Sequence, residues 1–297
     1  MSKDLVSEAG YVLHKGAVSL KQISRLHEVF LSWQAQSKSH KENFGEAANG
    51  KYRCGIGLGH SESIQRLIRV KNTCDISDDF NDFIKSEAIL GIARLYLGES
   101  IRFHHCKINT KYQGGDERID LHQDFCFDPH TNRSLITLMI PLVDVDEING
   151  ALAVVPGSQE CLESHFEGGT FQGKITDGWN RFSDRLVKVS MDQGDVLVSD
   201  GWLIHGSLEN NANDPRPALF MELSRGDALP LAPYHVPSRF SGDILSGDQA
   251  SPQIRLEAMT FEVPAGYKQS SIVNLQQEQW HASKNWCCGV FFQDCRR

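Results

Sequence analysis

The sequence predicts a mainly β protein with flanking α-helices: a sandwich or jelly-roll barrel buttressed by helices on its N-terminal side. Three observations predict it. From Ile101 to Ser224, short apolar runs recur between turn signals at a spacing that suits many short strands. Before residue 100, apolar residues instead fall three and four apart, the helical period. Apolar residues make up 40% of a 297-residue chain, enough for one core, and no internal repeat or low-complexity segment divides it. One domain is therefore expected over residues 1–297, with the β core at about 100–225, a helical buttress at about 1–99 and a C-terminal extension at about 226–297.

Taken in order, Gly10 to Leu13 reads as a short strand. Leu20 to Ala35 carries apolar residues at Leu20, Ile23, Leu26, Val29, Phe30 and Trp33, an amphipathic helix with Ser19 as its N-cap. Residues 37–60 are polar and glycine-rich, a long loop of the kind that is more often functional or disordered than filler. Ser61 to Val70 and Ser77 to Leu97 read as helices, the second closed by Gly98. Strands are then expected at Ile101–Asn109, Ile119–Phe125, Leu135–Leu142, Leu152–Val155, Leu186–Val189, Asp195–Ser199 and Arg216–Ser224. Asn149-Gly150 and Pro156-Gly157-Ser158 supply turns. The stretch between Ser158 and Leu186 is too polar for core and too long for a hairpin; as a loop on a rigid scaffold it is expected to face substrate through Trp179 and Arg181. Beyond the core, Ala258–Val263 and Gly289–Phe292 are strand-like.

Two stretches carry chemistry. In Leu121 to Phe125, LHQDF, side chains two apart on a strand share a face, so His122 and Asp124 can aim at one atom while Gln123 turns away. In Gly194 to Arg216, an apolar run reads as a buried strand that delivers His205 and, after a turn, returns on the neighbouring strand with Arg216. Two imidazoles and one carboxylate with the opposite side open suit non-haem Fe(II). Arg216, 11 positions beyond His205, then has the reach to clamp the far carboxylate of a diacid that chelates the metal. An HxD triplet alone is a weak signal, and His60-Ser61-Glu62 and His165-Phe166-Glu167 share its spacing, but neither lies on an evident buried strand.

The order HQD, then TLMIPLVDVDEINGALAVVPGSQ, then GDVLVSDGWLIHGS with an arginine following, resembles the phytanoyl-CoA dioxygenase-like family of Fe(II)/2-oxoglutarate oxygenases, in a pattern close to that of its ectoine hydroxylase-like members. The likeness covers roughly residues 100–225. It implies a double-stranded β-helix (jelly-roll, cupin-like) core, with Fe(II), 2-oxoglutarate and O2 as cofactor and cosubstrates. It implies His122, Asp124 and His205 as metal ligands and catalytic centre, and Arg216 as the anchor of the cosubstrate's distal carboxylate. It further implies that Ser207 assists that arginine, and that Asn109 and Thr137 lie beside the cosubstrate. His105 stands where ectoine hydroxylase-like chains have glutamine, and is expected with these cofactor-binding residues. Family members that halogenate replace the carboxylate ligand by a small residue; Asp124 is present, which points to hydroxylation or another oxidation. The segment FCFDPHTNRS after the HxD departs from the ectoine hydroxylase pattern, so an amino acid or specialised-metabolite intermediate is the expected substrate class.

Composition narrows the alternatives. With 30 basic and 38 acidic residues the chain carries −8, and no basic stripe suggests nucleic acid. No run approaches 18 apolar residues and the start lacks an apolar signal core, so a soluble cytoplasmic protein, monomer or homodimer, with a small-molecule partner and no membrane is expected. The 8 cysteines read as free thiols; Cys287, Cys288 and Cys295 with His281 lack the paired spacing of a zinc site. Two other classes use the same residues: a cupin-type hydrolase or isomerase with Zn²⁺ or Mn²⁺ on the three ligands, which leaves Arg216 unexplained, and a non-catalytic small-molecule-binding protein.

Overall fold

The computed structural model describes residues 6, 8–39, 67–114, 118–234, 236–247 and 253–262. Residues 40–60 of the loop expected at 37–60, the start of the expected helix at 61–66, Cys54, His60, and the terminal segment with His281, Cys287, Cys288, Cys295 and Gly289–Phe292 lie outside the described residues.

The elements in order are β1 (Tyr11–His14), α1 (Leu20–Ser37), β2 (Arg69–Lys71), α2 (Thr73–Ile76), α3 (Asp78–Ile84), α4 (Glu87–Leu97), β3 (Ile101–Lys111), β4 (Ile119–His122), β5 (Leu135–Pro141), β6 (Leu152–Val154), β7 (Phe166–Glu167), β8 (Thr170–Phe171), α5 (Gly178–Arg181), β9 (Val187–Val189), β10 (Val196–Asp200), β11 (His205–Ser207), β12 (Arg216–Arg225) and β13 (Ile244–Ser246). A large antiparallel sheet runs β1-β10-β5-β12-β3, with β13 and β2 both paired to the outer side of β3. A small sheet runs β4-β11-β6-β9. The two face each other as the halves of a jelly roll.

Strand alternation sorts the large sheet's side chains. Ile136, Leu138 and Ile140 of β5, Val196 and Val198 of β10 and Leu219, Met221 and Leu223 of β12 pack outward against Ile23, Leu26 and Phe30 of α1 and against α3 and α4. The residues between them point inward, where Met139, Leu152, Val154 and Leu197 close one end of the interior with apolar contact. The other end is polar and holds the site.

Four expectations are corrected. Ser77–Leu97 is not one helix: α3 and α4 break at Lys85-Ser86, with Ser86 in extended backbone as the cap of α4. Phe83 and Ile84 are followed by the next buried residue only at Ile89, and five residues on one continuous helix would swing that side chain about 140° off the buried face. The end of the expected 61–70 helix is strand, since Arg69 pairs with Asn109 and Lys71 with Lys107. The described part of Ala258–Val263 runs without strand pairing, held by Thr131 and Arg133 to Glu257. The stretch from 194 to 216 is not one strand and its neighbour: β10 lies in the large sheet, the chain crosses through residues 201–204 to β11 in the small sheet, then crosses back to β12. His205 and Arg216 therefore face each other across the interior from opposite sheets. By contrast Ser19 caps α1 as expected, its Oγ accepting the Gln22 N–H at 3.3 Å.

Candidate metal centre and active site

β4 and β11 pair so that His122 and His205 stand directly opposite each other, ring centroids 4.3 Å apart. The approach is close because residue 206 is glycine: a Cβ there would meet the Ile119 carbonyl oxygen at 2.6 Å. Each imidazole is oriented from behind. His122 Nδ1 donates to the Asp120 carbonyl at 2.8 Å and His205 Nδ1 to the Leu203 carbonyl at 3.0 Å. That leaves the other ring nitrogen, Nε2, on the inner side of both rings.

Asp124 meets them there. Its Oδ1 lies 3.7 Å from each Nε2, and Oδ2 accepts the Thr137 hydroxyl at 2.7 Å. The carboxylate does not sit on β4 as the alternation argument expects. The chain leaves the strand at Gln123, and Asp124 opens a 3-10 turn, Asp124–Cys126, whose carboxylate reaches across to Thr137 of the large sheet. Burial alone would push the Asp124 carboxyl up, but His205, His122 and Lys107 outweigh it and hold the group well below the usual carboxylate range. Burial pushes the His205 imidazole down to about 4, so its ring lone pair is offered beside the carboxylate oxygen. The three ligand atoms lie within 4.8 Å of one another. Two neutral nitrogens and one anionic oxygen on one side of a cavity fit a ferrous ion with its remaining positions open.

That cavity, about 130 Å³, is lined among others by Asn109, Thr137, Ser207 and Arg216. Arg216 is buried on β12 and its guanidinium donates to the Gly150 carbonyl. Gly150 needs to be glycine: at φ +96° a Cβ would strike Lys111 Cδ at 2.7 Å and the Leu208 carbonyl at 2.9 Å. Asn109 accepts the Arg69 Nε–H at 2.9 Å. A buried arginine on a cavity whose lining also includes a serine hydroxyl has the donors to seat a carboxylate.

Three expected contacts fall elsewhere. His105 is fully buried behind the lining, its Nδ1 2.8 Å from His104 Nδ1 and its Nε2 3.1 Å from Lys107 Nζ. Trp179 and Arg181 do not line the cavity. The Trp179 indole donates to Asp120 Oδ1 at 3.0 Å, and Arg181 pairs with Glu163 at 2.8 Å. The loop that bears them folds as the β7–β8 hairpin and α5, packed outside the small sheet, because Ile175 and Phe182 are buried against Leu121.

Two residues matter more than the sequence suggested. Gln123, between the ligands, donates to the carbonyls of Cys161 at 2.8 Å and Trp202 at 2.5 Å and accepts the Glu163 N–H at 2.8 Å, so the turn is bolted from outside. His165, set aside above as a loop histidine, accepts the Gln123 N–H at 3.0 Å; burial pushes its imidazole down to about 4, the neutral form this acceptor role requires. Its ring also stacks on Phe171, which packs against Phe127, a cavity-lining ring in edge contact with His122. Gln123 was signalled by its place inside the HxD; nothing local to His165 marks its contact with it.

A second group of ligand-type residues, His104, His105, Asp128 and Glu222, is buried beside the first. A bulge brings it together: Glu222 pairs with His105 and Leu223 with Phe103, leaving His104 as the extra residue on the same inward side. Burial and the neighbouring Asp128 push the Glu222 carboxyl well up.

Comparison with known proteins agrees with this geometry. The sequence model of the family "Phytanoyl-CoA dioxygenase (PhyH)" matches residues 6–218. The chain is 33% identical over 178 residues to the probable alpha-ketoglutarate-dependent hypophosphite dioxygenase of Stutzerimonas stutzeri, covering 58% of this chain and 62% of that one. It is 26% identical over 183 residues to the ectoine dioxygenase of Streptomyces coelicolor (55% and 61%) and 27% identical over 182 residues to a 2-aminoethylphosphonate dioxygenase from an uncultured bacterium (61% and 67%). The match thus spans about three-fifths of the first two relatives' own length. In fold it is similar to EctD from S. alaskensis, with a TM-score of 0.60 at 16% identity and 84% of each chain covered. The chain belongs to the phytanoyl-CoA dioxygenase (PhyH) family.

Proposed function

We propose that the protein is an Fe(II)- and 2-oxoglutarate-dependent dioxygenase that oxidises an unactivated C–H bond of a small metabolite. One observation carries the reading: two inward Nε2 atoms and one carboxylate oxygen within 4.8 Å of one another, on a cavity that also holds a buried arginine. The overall change balances as R–H + 2-oxoglutarate + O2 → R–OH + succinate + CO2, with one oxygen atom of O2 entering R–OH and the other entering succinate. Iron and cosubstrate, when bound, supply the oxidant.

The chain's own residues do the rest. His122, Asp124 and His205 hold the ion and leave the remaining positions free. Asp124 adds the one anionic ligand, and Thr137 keeps its second oxygen turned away. Arg216, assisted by Ser207, takes the distal carboxylate of 2-oxoglutarate, and Asn109 borders the same space. Phe127, Met139, Leu152 and Phe220 give the lining its apolar share, which excludes water and strengthens the charged contacts. The relatives' names include both an inorganic phosphorus acid and organic compounds, so the substrate does not transfer from them by likeness.

The test is direct. Iron-loaded protein, 2-oxoglutarate, O2 and a metabolite library including amino acids are incubated together, and succinate release is followed with product mass. A gain of one oxygen atom coupled to succinate is expected with at least one compound; no succinate under any condition would sink the proposal. Arg216→Ala should raise the 2-oxoglutarate KM by about 10²-fold or more while one iron still binds per chain.

A further inference from the structure

The cavity holds cations that the proposed chemistry does not use. Arg69 and Lys107 line it together with Arg216, Asp124, Asp128 and Glu222. A ferrous ion and doubly charged 2-oxoglutarate bring equal and opposite charge, so their joint binding leaves that balance unchanged. Arg216 and Asp124 are committed to those two groups.

Arg69 is the sharpest case. Only 7% of it is exposed, its Nε–H goes to the neutral amide oxygen of Asn109, and no carboxylate among the described residues pairs with it. Burial pushes even this guanidinium down, to about 10. A buried cation without a counter-charge costs several kcal/mol, so a protein that keeps one there holds it for an anion that arrives later. Lys107 stands one strand over and is 14% exposed, 3.8 Å from Glu222 and 3.1 Å from His105. Burial and Asp128 push the Glu222 carboxyl well up, which weakens its hold on the ammonium. Registers fix the two cations on one wall: Arg69 pairs with Asn109, two residues along β3 from Lys107, and all three point inward. A planar fork and a point charge side by side match the several oxygens of one small oxyanion.

We propose that Arg69 and Lys107 form the substrate's anchor, and that the substrate carries an oxyanion, a phosphonate- or phosphite-type group or a carboxylate. The inference rests on the dioxygenase reading above and specifies its substrate class. Asn109 then acts as a positioning residue, holding Arg69 from the cosubstrate's side of the wall.

The experiment uses the full chain loaded with Fe(II) and 2-oxoglutarate without O2. Methylphosphonate, phosphite and acetate are titrated by calorimetry, with acetamide and methanol as neutral controls at matched ionic strength. At least one oxyanion should bind saturably and the neutral compounds should not; the phosphorus acids against acetate decide which oxyanion is preferred. Arg69→Gln and Lys107→Met should each weaken that binding about tenfold or more, with 2-oxoglutarate affinity changed less than about threefold, and Arg69→Lys should restore part of it. Arg69→Met should leave the metal-free protein as thermally stable as the wild type or more so, since it removes an uncompensated charge; a purely structural arginine would show a loss instead. Oxyanion binding that 2-oxoglutarate displaces, binding equal in wild type and variants, or no binding at all would overturn the proposal. If 2-oxoglutarate itself fails to bind the iron-loaded chain, the dioxygenase reading falls and this inference with it; if it binds while the oxyanions do not, only this inference falls.

Discussion

Two buried groups of histidines and carboxylates sit beside one cavity, and only one is fit for a metal. In His122, Asp124 and His205 each imidazole spends its Nδ1 proton on a backbone carbonyl behind it, and both Nε2 lone pairs are left facing Asp124. In His104, His105, Asp128 and Glu222 the nitrogens are spent on one another. The Lys107 ammonium can only donate, so His105 Nε2 at 3.1 Å is an acceptor and the ring's proton is on Nδ1. That proton goes to His104 Nδ1 at 2.8 Å, and the remaining His104 proton, on Nε2, faces Asp128 Oδ1 at 3.5 Å. The carboxyls diverge in the same sense: Asp124 is held well below its usual range and Glu222 well above. Residue type and burial are shared; what separates a ligand set from a hydrogen-bonded network is where the lone pairs point.

The largest break in this contrast comes from Asp124→Ala. It removes the only anionic donor of the first group, so tight iron binding should be lost and succinate formation should fall about 10³-fold or more, while one iron per chain is expected in the wild type. Iron titration followed by equilibrium dialysis checks both. A variant that still holds one iron at wild-type affinity would move the metal to the second group.

The contrast also marks what was legible. The triad was named from spacing because the two chemistry-bearing stretches are short and local, and the β-type core followed from recurring apolar runs. The paths between them were not. Nothing in GDVLVSDGWLIHGS says that the chain changes sheets at residues 201–204, since both strands are apolar and differ only in partners far off in sequence. His104 escaped for a related reason: its inward position depends on a bulge opposite Glu222, about 120 residues away, which alternation along β3 alone contradicts. Trp179 was misplaced because a tryptophan in a polar loop carries no mark of which side of the small sheet it covers.

Thr137→Ala should have the next largest effect. The hydroxyl holds Asp124 Oδ2 at 2.7 Å, so its loss frees the carboxylate to turn, and iron affinity should fall about 10–100-fold with the fold intact. Thr137→Ser keeps the donor and should stay near wild type. Equal weakening in both variants would mean that the methyl packing, not the hydrogen bond, is what counts.

Glu222→Gln sharpens the comparison from the other side. A folded-state carboxyl raised above its unfolded value binds its proton more tightly in the fold, so wild-type stability declines as pH rises from the ordinary glutamate range towards the raised value. Glutamine has no proton to lose. The variant's melting temperature should match the wild type near pH 4.5 and exceed it progressively towards neutral pH, by about 2–4 °C for each kcal/mol. Iron stoichiometry should stay at one. A variant that becomes less stable than wild type as pH rises would show Glu222 ionised and paired, and would erase the difference between the two groups.

The smallest effect is expected at Trp179, on the outer support of the first group. Asp120 gives its backbone carbonyl to His122 and, among the described residues, its side chain accepts from Trp179 at 3.0 Å, Lys174 at 3.2 Å and Arg118 at 3.2 Å. Arg118 also lies 5.0 Å over the Trp179 ring, so the indole serves as both donor and platform. Trp179→Phe removes one of several hydrogen bonds to a partly exposed carboxylate and keeps the platform, a loss of about 1 kcal/mol or less. Turnover should change less than about threefold, and the substrate KM should not move apart from kcat. A rise in KM alone would put Trp179 in contact with substrate after all, and would require the β7–β8 side of the small sheet to reach the cavity by a rearrangement.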